Sequence, residues 1–215
     1  MRSSHADYFN HDDGAVGYDD DVLNESDPES RVLELGSGTG NLTSRLPEYH
    51  ETICVDVSEK MEELALAKGA RFPNRKFIKD DVLAVFDRNL GCFDSIVSTY
   101  TLHHLTEPQK VTLFGKLWSA LNDGGVAVIG DLMVESADQL ANKVTRYRNE
   151  GYEDVATALE EEFFWHLTEA ICELERVGFQ VSWIQFSDLS YGILAKKART
   201  CQAEEAVETT SSTSD

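Results

Sequence analysis

The chain has 215 residues, 41% of them hydrophobic, which is enough to bury one substantial core. Its 39 acidic against 19 basic side chains leave a formal net charge of −20, and so negative a surface disfavours nonspecific attraction to nucleic acid or anionic membrane. With no basic, apolar leader and no apolar run near the roughly eighteen residues of a membrane span, a cytoplasmic protein is expected rather than a secreted or spanning one.

Residues 1–30 hold nine acids and one arginine and are expected to form an acidic segment ahead of a domain spanning 31–199. The first strand is expected over 31–35. It runs into Glu34-Leu35-Gly36-Ser37-Gly38-Thr39-Gly40, three glycines at alternate positions. Glycines there let the backbone take positive φ and let a ligand approach the main chain. A dinucleotide loop would place a third glycine at Asn41, and Glu34 would repel an arriving phosphate. The pattern suits a nucleoside cofactor with an ammonium group and no phosphate, and makes a nicotinamide-dependent oxidoreductase the weaker alternative.

A helix is expected over 40–47, then a strand over 52–57 ending in Asp56, with Val57 after it. An acidic side chain at the end of the second strand of a βαβ fold accepts hydrogen bonds from both ribose hydroxyls. The alternative for Asp56 or Ser58 is a helix N-cap. Met61, early in the helix expected over 59–70, is placed either to meet a base or to fill the core. The third strand, 76–79, runs into Asp80, Asp81 and Val82, which read either as a ligand-facing pair or as a solvated acidic turn.

The fourth strand, 93–98, ends at Ser98, and ligands of open α/β sheets bind beyond such ends. His103 and His104 follow as the titratable bases of that loop. They are candidates to take a proton from an oxygen or nitrogen nucleophile, with packing or loop bonding as the alternative. A helix over 108–121, a stop at Asn122-Asp123-Gly124-Gly125 and a fifth strand over 125–131 come next. Helices are expected over 136–150 and 154–163, then one from Leu167 with Thr168 as N-cap, ending at Gly178. Residues 181–186 and 191–196 read as an antiparallel hairpin, and the tail, 200–215, as disordered. The alternation argues for an α/β fold, a parallel sheet with helices on both faces. The cysteines at 54, 92, 172 and 201 form no C-x-x-C pair and the histidines show no ligand spacing, so no metal is expected.

In order and spacing these segments resemble the class I S-adenosylmethionine-dependent methyltransferases, in particular the small bacterial YrrT-type (methyltransferase-11/25-like) group. The resemblance is carried by Tyr8-Phe9 with Tyr18-Asp19, by Val32 to Thr43, by Asp94 to Leu105, by Leu159 to Glu162 and by Val177-Gly178-Phe179, over about residues 7–197. It implies a Rossmann-like seven-stranded mostly parallel sheet, order 3-2-1-4-5-7-6, with the last strand antiparallel. It implies S-adenosylmethionine as cofactor and S-adenosylhomocysteine as product. Glu34, Gly36, Ser37, Gly38 and Gly40 would hold the cofactor, Asp56 and Val57 its ribose, and Met61 with Asp81 and Val82, or Asp80, its adenine. Ser98 to Tyr100 would lie beside the sulfonium and the acceptor, and Tyr18 would belong to a lid within 1–30. An insertion over 137–166 would cover the acceptor, with Arg146, Tyr147, Arg148, Tyr152, Trp165 and His166 as walls unless the arginines pair with nearby glutamates. The acidity points to a small-molecule acceptor rather than tRNA or rRNA, and nothing indicates the oligomeric state. A sensor or sequestering protein that binds the cofactor or its product without transfer is the alternative of another class.

Overall fold

A computed structural model describes residues 29–68 and 74–199. Tyr18, almost all of the expected lid segment and the tail from 200 lie outside the described residues.

β1 (Arg31–Leu35), β2 (Glu51–Asp56) and β4 (Phe93–Thr99) have largely buried, apolar centres, as parallel strands covered on both faces do, while β3 (Arg75–Lys79), with three basic residues, is the partly exposed edge strand. With β5 (Leu121–Val134), β6 (Trp165–His166), β7 (Gln180–Ser187) and β8 (Ser190–Lys196) they give the order β3-β2-β1-β4-β5-β8-β7, β6 pairing with β5 off this path. β1 to β5 pair in parallel, and β8 is antiparallel to both β5 and β7. Numbered without the two-residue β6, this is the expected 3-2-1-4-5-7-6 arrangement.

Alternate residues of a strand face opposite sides, which separates two cores. Leu33, Leu35, Ile53, Val55, Ile96 and Ile129 pack with Phe114 and Leu117 of α2 (Glu107–Ala120) and Leu174 of α5 (Leu167–Val177). Val32, Val97 and Val128 turn the other way, onto Leu42, Leu46 and Tyr49. The insertion folds as α3 (Ala137–Asn149) and α4 (Glu153–Glu161), which bury Val144, Val155 and Leu159 against Leu132 and Val134 of β5. α1 (Glu59–Ala67) follows β2.

Four expected boundaries move. Residues 40–47 make successive turns rather than a helix, Ser44 N donating to Gly40 O at 3.0 Å and Arg45 N to Leu42 O at 2.8 Å. Pro47 stops the segment before it reaches a length at which a helix is stable. α1 ends at Ala67, ahead of residues that are not described. β5 starts at Leu121, directly after α2, and runs on to Val134 because β6 pairs with Met133 and Val134. The cap of α5 is His166, not Thr168, whose hydroxyl instead donates to Glu135 O at 3.1 Å. The capping box of α2 is complete, Thr106 pairing with Gln109.

Candidate functional site

The carboxyl ends of β1, β2 and β4 surround a hollow of about 440 Å³, walled by residues from 36–42, 56–61 and 99–104. Its floor is the glycine loop. Gly36 N and Ser37 N both donate to Val55 O, at 2.8 and 2.9 Å, so the loop turns back over β2. Gly36, Gly38 and Gly40 have φ of +74°, +49° and +77°, in the left-handed region where a Cβ is penalised. A Cβ on Gly40 would lie 2.7 Å from Ala65 Cβ and 2.9 Å from Ala65 Cα, so the third glycine is the seat of α1. A Cβ on Gly38 would meet nothing within 4 Å, because that glycine borders the hollow.

Asp56 stands at the end of β2 and holds the loop. Its Oδ2 accepts from Gly38 N at 2.8 Å and its Oδ1 from Ser58 N at 2.9 Å. An ionised carboxylate offers about four acceptor positions, so each oxygen retains one for a ligand hydroxyl. Ser58 is the N-cap residue of α1. Val57 and Met61 lie on the same wall, Val57 being 63% exposed.

Glu34 does not face the hollow. It lies one residue before the end of β1, so its side chain points off the sheet face rather than beyond the strand. Buried there, it accepts from the Thr43 hydroxyl at 2.7 Å. Burial raises its pKa above the ordinary carboxylate value, against the partial support of Thr43, Cys54 and the Arg75 guanidinium. An acid whose folded pKa is raised contributes stability that is complete below its unfolded pKa and is lost as pH rises through the folded one. Glu34→Gln keeps the acceptor for Thr43 and removes the charge. Its melting temperature relative to the unsubstituted chain is expected to climb as pH goes from 4.5 toward 8; a difference that stays flat with pH sinks this reading.

Ser98 is buried too, its hydroxyl donating to Leu35 O at 2.8 Å. It ties β4 to β1 and does not line the hollow. Asp80 is paired with Arg88, and Asp81 Oδ1 accepts from Leu83 N at 2.8 Å and Ala84 N at 3.2 Å. Neither aspartate, nor Val82, is on the described wall.

The two histidines divide. His104 lines the hollow, its side chain 66% exposed and its Nδ1 3.5 Å from Glu162 Oε2. His103 is buried, with Nδ1 2.6 Å from Asp131 Oδ1 and its backbone N donating to Asp131 Oδ2 at 3.0 Å. Burial opposes a charge on His103, but the hydrogen bond and negative charge of Asp131 outweigh it and hold its pKa above the usual histidine value. Tyr100 borders the hollow at φ +47°, a strained conformation for a residue with a side chain, and its N donates to Gly130 O at 2.9 Å.

None of the aromatic or basic residues singled out in the insertion lines this hollow. Arg148 bridges Glu153 and Glu160, Arg146 lies 3.8 Å from Asp188, and Trp165 is buried against Phe114. Of the strand end expected beside the sulfonium, Thr99 and Tyr100 line the hollow, while residues that sequence reasoning passed over include Thr39, Asn41, Thr101 and Asp131. Asp131 had a visible signal, an acid set inside the apolar run of β5. Glu162 had none, because only the fold brings it to His104.

A family model described as a methyltransferase domain matches residues 32–125. The chain is 33% identical over 183 residues to an uncharacterized methyltransferase of Oceanobacillus iheyensis, covering 83% of each. It is 30% identical over 182 residues to one of Bacillus cytotoxicus, covering 83% of this chain and 82% of that one. The fold is similar to magnesium protoporphyrin IX methyltransferase from Synechocystis, solved with S-adenosylhomocysteine, at TM-score 0.65 and 14% identity over 92% of this chain and 89% of the other.

Proposed function

The chain belongs to the methyltransferase domain family, and from that premise we propose that it methylates a small molecule held at the mouth of the hollow. It is an S-adenosylmethionine-dependent enzyme, releasing S-adenosylhomocysteine. The observation that carries the finer reading is the hollow itself. Its volume of about 440 Å³ falls within the range of small-ligand sites. The net charge of −20 opposes a nucleic-acid acceptor.

In this reading the glycine loop supplies backbone contact, Asp56 binds the ribose, and Met61 and Val57 flank the base. Asp81 is favoured over Asp80 for the adenine amine, because Asp80 is committed to Arg88 while Asp81 spends Oδ1 on its own turn. The methyl group then faces Thr99 to His104. Transfer is an in-line displacement at a carbon activated by its sulfonium, and aligning the nucleophile with it supplies much of the acceleration. His104, on the wall, is the histidine that would receive a proton where the acceptor must lose one; His103 is buried and gives Nδ1 to Asp131.

Calorimetry with S-adenosylmethionine, S-adenosylhomocysteine and NAD, followed by assay of product formation on a panel of small thiols, amines and hydroxyl compounds, tests this. Binding of the first two but not NAD, with turnover of at least one small acceptor, is expected. Cofactor binding with no turnover of any of them favours a sensor, and labelling of protein or RNA instead overturns the small-molecule assignment.

A further inference from the structure

We propose that His103, His104 and Glu162 form a site for a divalent transition metal, zinc being the best chemical match, at the rim of the hollow. Among the described residues, one ligand atom from each of these three lies within 4.8 Å of the other two. Ligands at zinc's usual distances stand roughly 3.4 Å apart around a tetrahedron. His104 Nδ1 and Glu162 Oε2, at 3.5 Å, are already close to that spacing.

Two further features preorganise it. Asp131 holds His103 through Nδ1 at 2.6 Å, which directs Nε2 to be the coordinating nitrogen. Metal-bound histidines characteristically give their other ring nitrogen to a carboxylate, which fixes tautomer and ring orientation. Asp131 is itself fixed, accepting from His103 N at 3.0 Å and Leu132 N at 2.8 Å. On the other side, Lys110 Nζ donates to Phe163 O at 2.6 Å and Phe164 O at 3.3 Å, anchoring the chain next to Glu162.

Two imidazoles and one carboxylate suit zinc and its neighbours, whereas magnesium and calcium prefer oxygen alone. Three protein ligands leave a coordination position open. A metal there would supply Lewis acidity to a thiol or hydroxyl entering from the hollow, His104 then serving as a ligand in place of a proton acceptor. The expectation of no metal rested on the spacing of the adjacent histidines; the third ligand arrives from the end of α4, which no local spacing reveals.

The test uses the untagged full-length chain, stripped with a chelator and titrated calorimetrically with zinc, cobalt and magnesium chlorides. One equivalent of zinc at micromolar affinity or tighter is expected, with visible cobalt absorption typical of low coordination number and no magnesium binding. Glu162→Gln and His104→Ala should each weaken zinc by at least about tenfold, and Asp131→Asn by about 10- to 100-fold, the scale of outer-shell changes. His104 and Glu162 are partly exposed, and circular dichroism of those two variants checks their folding. No saturable zinc uptake, or equal affinity in the unsubstituted chain, His104→Ala and Glu162→Gln, overturns the site. Titrating the same samples with S-adenosylhomocysteine keeps this result separate from the functional reading, since Glu162 is not on the hollow's wall.

Discussion

Asp56→Ala should cost about two orders of magnitude in affinity for S-adenosylhomocysteine while the sheet still folds. Two ribose hydroxyls would lose a charged acceptor, and hydrogen bonds to charged groups are worth about 1.5–3 kcal/mol each. Roughly 3 kcal/mol in total corresponds to about a hundredfold change in Kd. The same carboxylate also accepts from Gly38 N and Ser58 N, so the loop and the start of α1 loosen when it goes. Asp56→Asn is the intermediate case. One oxygen survives as a neutral acceptor while the new NH2 faces the other backbone N–H, so this variant should bind and melt between the two extremes. Calorimetric Kd values for the three proteins decide the matter; Asp56→Ala binding within about threefold of the unsubstituted chain would remove Asp56 from the ribose site.

The glycine loop makes a second contrast of comparable size. Gly40→Val should lower stability by about 3 kcal/mol, combining a left-handed backbone unsuited to a β-branched residue with a collision. The collision is with Ala65 Cβ at 2.7 Å and with Ala65 Cα, part of the α1 backbone, at 2.9 Å, so no side-chain rotation relieves it. In a chain of 215 residues that loss corresponds to a fall of roughly 6–12 °C in Tm. Gly38→Val shares the backbone penalty without the collision, since nothing lies within 4 Å of its added carbon. Its side chain enters the hollow instead. It should melt several degrees above Gly40→Val and yet bind the cofactor more weakly than its modest loss of stability accounts for. Equal melting temperatures for the two variants would contradict the distinct roles given to these glycines.

Much of this site was legible in the chain because its parts are local. The glycine spacing, the aspartate closing β2 and the histidines after β4 each sit on one strand-to-loop junction, and the hydrophobic period places that junction at the carboxyl edge of the sheet. Two of the expected site residues do not line the hollow, for reasons of direction. Glu34 and Ser98 were read from their nearness to a strand end, but a residue still inside the strand projects from the sheet face, into hydrogen bonds with Thr43 and Leu35. Residues 40–47 carried helical periodicity, yet Pro47 and the demands of the loop hold them to turns.

Sequence by itself determined the class of fold, the glycine-rich turn after β1 and the aspartate that closes β2, because apolar periodicity and glycine's conformational freedom act over a few neighbouring residues. Packing decided the rest. Which histidine faces the hollow, that Asp131 clasps the other, and that Glu162 comes from the end of α4 to meet them all depend on the registers of distant elements. Those registers are set by burying β5 against β8 and the insertion helices against β5, a property of the whole core that no single stretch of the chain contains.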